Sequence, residues 1–128
     1  MSQKKPRLLV VDNEIDICNF VRAFFEMRGF EVSGALNGDE ALALIPEFKP
    51  DIVILDIMMR RDEEGLEYLP QVKKLLPLAK VLMITGVDDD QSIEKAKRLG
   101  ADDYITKPLV LEYLENTVLK KVGEFTRS

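Results

Sequence analysis

Two carboxylates, a hydroxyl and an amine close four short apolar runs. Asp12 follows Arg7-Leu8-Leu9-Val10-Val11, and Asp56 follows Ile52-Val53-Ile54-Leu55. Thr85 follows Lys80-Val81-Leu82-Met83-Ile84, and Lys107 comes just after Asp102-Asp103-Tyr104-Ile105. Brought together, these four groups have one coherent chemistry. Facing carboxylates repel unless a cation lies between them. A hard cation such as Mg²⁺ suits that place, because it binds through few carboxylates and keeps some of its waters. An amine and a hydroxyl alongside would then stabilise a phosphoryl group on or near Asp56. Each residue alone has a plainer explanation. Asp12 and Thr85 could cap helices, and Lys107 could be a solvated surface charge. The chemical reading rests on all four sharing one edge.

The elements that would place them there are legible. The runs before Asp12, Asp56 and Thr85 are unbroken and rich in β-branched residues, as in strands buried on both faces. Phe30-Glu31-Val32-Ser33-Gly34 alternates like a half-exposed edge strand, and residues 102–105 form a short last strand. Helical spacing links Ile17, Phe20, Val21, Phe24 and Phe25 in a first helix, with Cys18 a small buried hydrophobe and Gly29 the stop. Asn37 caps a second helix with Glu40 reaching back, Ala41, Leu42 and Ile45 form its inner face, and Pro46 should kink or end it. Leu66, Leu69, Val72, Lys73 and Leu76 carry a third helix, interrupted near Pro70 unless it starts late, and closed by Pro77. Ile93, Ala96, Lys97 and Leu99 carry a fourth, which Asp88-Asp89-Asp90 open as a solvated start and Gly100 stops. Val110, Leu111, Leu114, Val118 and Val122 carry the last. Residues 1–123 read as one domain, with 124–128 a frayed tail or linker stub.

Strand–helix alternation repeated five times with short connections demands a parallel sheet covered on both faces. The expected fold is α/β, flavodoxin-like (βα)5, with strand order 2-1-3-4-5. That order makes strands one and three neighbours, so Asp12 and Asp56 face each other across the crevice at the switch point.

Composition removes competing chemistries. The 128 residues contain no histidine and one cysteine. Zinc sites, Ser-His or Cys-His nucleophiles and internal disulfides are thereby excluded. One cysteine fits a reducing cytoplasm. Net charge is −5 with scattered Lys and Arg, which argues against direct nucleic-acid binding. No apolar run approaches the ~20 residues of a membrane span, and neither a GxGxxG nor a P-loop occurs.

Val10-Val11-Asp12-Asn13-Glu14, residues 50–59, Ile84-Thr85-Gly86 and residues 100–108 (Gly-Ala-Asp-Asp-Tyr-Ile-Thr-Lys-Pro) together resemble the receiver domain of two-component response regulators. The resemblance implies that Asp56 accepts a phosphoryl group from a sensor histidine kinase, a phosphotransfer protein or a small phosphodonor. It implies that Mg²⁺ is held by Asp12, Asp56, residue 13 and the Met58 carbonyl. Lys107 would pair with the phosphoryl oxygens, Thr85 would swing in to bond them, and Tyr104 would change rotamer with Thr85. The signal would leave through the face of helix four, strand five and helix five; the oligomeric state is open, and this face is where a homodimer is to be sought. The Lys107–Pro108 bond would be cis. Such a chain is not an enzyme beyond its own phosphorylation and dephosphorylation.

The chain departs from the family pattern in three places. Asn13 stands where a second acid is usual, so weaker Mg²⁺ binding is expected, with Glu14 a partial compensation. Arg60 stands where proline is usual, and Gly65 comes about one residue late, which puts the loop after Asp56 in question. Gly86 replaces an alanine and loosens the turn after Thr85. Asn13 and the altered loop support one alternative, an unphosphorylated scaffold acting through protein contacts, against which the intact Asp56, Thr85 and Lys107 argue. An Asp-based phosphatase of the haloacid-dehalogenase kind needs a second Asp where Met58 stands, and an FMN carrier needs a hydroxyl-rich loop after strand one.

Overall fold

The computed structural model describes residues 5–86 and 90–126. Strands and helices alternate as β1 (Arg7–Val11), α1 (Ile15–Glu26), β2 (Glu31–Ala35), α2 (Gly38–Phe48), β3 (Ile52–Asp56), α3 (Glu64–Leu75), β4 (Lys80–Thr85), α4 (Asp90–Arg98) and β5 (Asp103–Thr106). The last helix, α5, covers residues 111–126. It is α-helical over Leu111–Tyr113, π-helical over Leu114–Val118 and α-helical again over Leu119–Thr126. The sheet is parallel in the order β2-β1-β3-β4-β5, the flavodoxin-like arrangement.

Alternation along the strands divides the core in two. Leu8, Val10, Ile52, Ile54, Leu82, Ile84 and Ile105 point to one face, where Val21, Phe24 and Phe25 of α1 and Leu114, Val118 and Val122 of α5 cover them. Leu9, Val11, Val53, Leu55, Val81 and Met83 point to the other, beneath Ala41 and Ile45 of α2, Leu66, Leu69 and Val72 of α3, and Ala96 of α4. Because both faces are covered, the strands read as unbroken apolar runs. Positive φ at Gly29 and Gly100 closes α1 and follows α4.

Several local expectations are corrected. Phe20 is exposed, because α1 packs through Cys18 and Val21, and Phe20 lies roughly 200° around the helix from Cys18. Leu99, Val110 and Leu111 are also exposed; they stand just outside α4 or at the start of α5, beyond the reach of the core. Pro46 and Pro70 lie inside intact helices. Both are exposed, so their rings project into solvent and each helix forgoes a bond without losing its packed face. Residues 124–126 continue α5, and Phe125 packs against the core, so helix replaces the expected tail there. Asp88 and Asp89, expected at the start of α4, lie outside the described residues, as do Arg127 and Ser128.

Candidate functional site

Strand register aligns the polar ends. Val11 pairs with Leu55, Asp56 with Ile84 and Thr85 with Thr106. The residues that follow or close these pairs therefore meet at one sheet edge. Asp12 is fully buried and Asp56 is 3% exposed. The Lys107 ammonium lies between them, 3.0 Å from Asp56 Oδ2 and 3.3 Å from Asp12 Oδ2. The Lys107 amide donates to the Thr85 carbonyl at 3.0 Å, which ties the end of β5 to β4. The Lys107–Pro108 peptide bond is cis.

Asp12 has two jobs. Its Oδ1 accepts the Glu14 amide at 2.8 Å, an Asx turn that starts α1. Its Oδ2 is buried and accepts no hydrogen bond among the described residues. Two carboxylates thus share one ammonium. Burial, then the charge of Asp12, pushes the Asp56 carboxyl up to about 7 against the pull of Lys107. Partial burial works against the charge on Lys107. Its bond to Asp56 and the fields of both acids outweigh that, and the amine is held above its ordinary range.

The other expected residues stand near this triad without joining it. Thr85 is buried, and its Oγ1 donates to the Gly86 carbonyl at 3.3 Å. Tyr104 packs against the core beneath α2, α3 and α4, and the Lys97 ammonium lies 5.7 Å from its ring centre. Asn13 is exposed. Met58 has an exposed side chain, and its carbonyl accepts no hydrogen bond among the described residues.

The buried Asp12 Oδ2, held among the described residues by its ion pair with Lys107 alone, the Asp56 carboxylate beside it and the Met58 carbonyl two residues on are oxygen donors suited to a further hard cation. The set is lean. Among the described residues no group of three His, Cys, Asp or Glu gathers to hold a metal.

The loop beyond Asp56 holds features the sequence reading did not identify. Gly65 lies in the first turn of α3, and its amide donates to the Ile57 carbonyl at 2.8 Å. A Cβ there would collide with the Asp56 carbonyl oxygen, so this position demands glycine. Glu64 is fully buried, although it lies in a charged stretch. Bonds from Arg60 hold its carboxyl below the usual range, against the effect of burial. The available signal was the i,i+4 spacing of Arg60 and Glu64.

The family model for the response regulator receiver domain matches residues 8–119. The chain is 35% identical over 102 residues to the alkaline phosphatase synthesis transcriptional regulatory protein PhoP of Bacillus subtilis, which covers 80% of this chain and 42% of that protein. It is 37% identical over 108 residues to the transcriptional regulatory protein TrcR of Mycobacterium tuberculosis, covering 84% of this chain and again 42% of the relative. The chain thus spans about two fifths of the length of these relatives. Among solved structures, a CheY-like response regulator receiver domain protein from Methanospirillum hungatei superposes with a TM-score of 0.82 at 31% identity, covering 94% of this chain and 96% of that one. The receiver domain of NtrX from Brucella abortus gives 0.81 at 34%, covering 94% and 99%.

Proposed function

The chain belongs to the response regulator receiver domain family, and from that premise we propose that it is a two-component signalling switch phosphorylated on Asp56. The observation that carries this reading is the buried Asp56 carboxylate at a strand end, sharing one lysine with Asp12.

In the proposed step, an Asp56 carboxylate oxygen attacks the donor phosphorus. The bond from phosphorus to a histidine nitrogen, or to the leaving oxygen of a small phosphodonor, breaks, and its electron pair leaves with the donor. The product is an acyl phosphate on Asp56, which water later hydrolyses. Positioning and electrostatics supply the catalysis. Lys107 donates to the phosphoryl oxygens. Thr85 exchanges its bond to the Gly86 carbonyl for one to the phosphoryl group. Asp12, Asp56, the Asn13 amide oxygen and the Met58 carbonyl would hold Mg²⁺, which supplies positive charge where the phosphoryl oxygens gather.

Repositioning of Thr85 with Tyr104 would favour one of two conformations of the face formed by α4, β5 and α5. Partners follow from this reading: a sensor histidine kinase or phosphotransfer protein as donor, and a second copy on the output face, with no direct nucleic-acid contact and a cytoplasmic setting. The catalytic repertoire is limited to the domain's own phosphorylation and dephosphorylation. Asn13, in place of a second acid, favours one other reading, a receiver-like scaffold that works unphosphorylated.

Incubation with Mg²⁺ and acetyl phosphate, followed by intact mass, separates the two. One added phosphoryl group on the native chain and none on Asp56→Asn is the expected result. No adduct on the native chain would leave the scaffold.

A further inference from the structure

The turn from Asp56 to α3 is held largely by side chains. Among the described residues the backbone bonds made within Ile57 to Glu64 are long: the Met59 amide donates to the Arg61 carbonyl and the Glu64 amide to the same carbonyl, both at 3.3 Å. Glu64 supplies what the backbone does not. Its Oε1 accepts the Arg60 amide at 3.1 Å and the Arg60 Nε at 3.2 Å, and its Oε2 accepts Nε at 3.2 Å and Nη2 at 2.7 Å. This is a forked arginine–carboxylate pair with a backbone bond added.

The burial is asymmetric. The Glu64 side chain is wholly covered, while that of Arg60 is 50% exposed. A solvated helix start would not produce that. Nor does the Glu64 carboxylate cap its own helix: its bonds run back to the loop, and Glu63 at the N-cap makes no side-chain cap bond. Gly65, the next residue, is seated against the Asp56 carbonyl and bonded to Ile57. The segment is thus pinned at both ends, with Met58 and Met59 between the pins. Met59 is buried, and the Met58 carbonyl accepts no hydrogen bond among the described residues.

We propose that Arg60 and Glu64 are positioning residues, a latch that holds the turn after Asp56, and with it the Met58 carbonyl, in the arrangement that receives a divalent cation. The inference rests on the reading of the crevice as a phosphorylation site. It assigns to this chain's own loop the task of ordering a metal site that has few acidic donors. A donor held in place by neighbouring hydrogen bonds binds a metal more tightly than one that must be ordered on binding.

The test uses the full chain as Arg60→Ala, Arg60→Lys, Glu64→Gln and the Arg60→Ala/Glu64→Gln double variant. In metal-free protein, amide hydrogen exchange at Met59 and Arg60 should accelerate in Arg60→Ala, while the β1 and β4 amides stay protected. In Mg²⁺ titrations followed by calorimetry, the Kd of Arg60→Ala should rise roughly tenfold, in the range expected when a ligand-orienting partner is removed. The double variant should bind no more weakly than Arg60→Ala, because the pair acts as a unit. Arg60→Lys should fall between, keeping the charge and losing the fork. Wild-type binding with every variant within about twofold of it would overturn the latch alone, whatever happened to thermal stability. Failure of the wild-type chain both to bind Mg²⁺ and to take a phosphoryl group would sink the phosphorylation reading and the latch together.

Discussion

Two buried carboxylates lie eight residues apart, each met by a partly exposed cation, and they behave in opposite ways. Asp56 meets Lys107, which comes from 51 positions along the chain and is shared with Asp12. Glu64 meets Arg60, four residues back, and has the whole guanidinium fork to itself. The Asp56 carboxyl is pushed up to about 7, whereas the Glu64 carboxyl is held below its ordinary range. Burial raises both: at Asp56 it is the largest influence and the charge of Asp12 adds to it, whereas at Glu64 the bonds from Arg60 outweigh it. Stoichiometry widens the difference: two acids on one amine leave a surplus negative charge, and one acid on one guanidinium leaves none. The first arrangement keeps a net negative charge that a further cation would offset. The second is complete and holds a loop.

The hardest way to break this comparison is at the residue that joins the two regions. Gly65→Ala would drive a methyl group into the Asp56 carbonyl, and it should destabilise the fold by about 3 kcal/mol. A urea midpoint unchanged from wild type would show that the α3 start is free to move away from β3.

Next in size is the pH response of Asp56. Its folded pKa lies above that of an unfolded aspartate, so its contribution is present below about pH 4 and is lost as pH rises through about 7. In chelator at pH 8, Asp56→Asn should therefore be more stable than the native chain by about 2 kcal/mol, with the gap closing toward pH 4. A gap that widened in acid would reverse the sign assigned to the site.

Glu64 should show the opposite sign and the smallest effect. Its folded pKa is depressed, so its contribution is present above the unfolded glutamate range and is lost as pH falls through the folded value. Glu64→Gln should lower stability at neutral pH by less than about 1 kcal/mol, given the exposure of Arg60, and the difference should vanish in acid. Urea midpoints at pH 7 and pH 3 read both halves. Equal losses at the two pH values would mean that packing, not charge, accounts for Glu64.

Much of the architecture was readable because its causes are local. The runs before Asp12, Asp56 and Thr85 announce strands covered on both faces, and Asn37 with Glu40 announces the start of α2. There the Asn37 side chain accepts the Glu40 amide at 2.9 Å, while Glu40 reaches back to the Leu36 amide at 3.4 Å. Local cues misled where packing decides. The prolines at 46 and 70 predict breaks, but each sits on an outward-facing part of its helix, so the packed face on the other side persists. Phe20 has the spacing of a core residue, and only the seating of α1 on β1 and β2 turns it outward.

The amino-acid sequence by itself determined the elements, their order and the residue types at their ends, since hydrophobic period, caps and turn residues act over a few positions. It also excluded histidine chemistry outright. Tertiary structure alone decided how charge is shared. Parallel register brings Lys107 between two acids on different strands, and the close seating of α3 on β3 turns Gly65 from a loop residue into a contact point. The same seating hides Glu64 in a stretch that reads as solvated. These are distances between groups remote along the chain, set by how layers pack, and no local pattern encodes them.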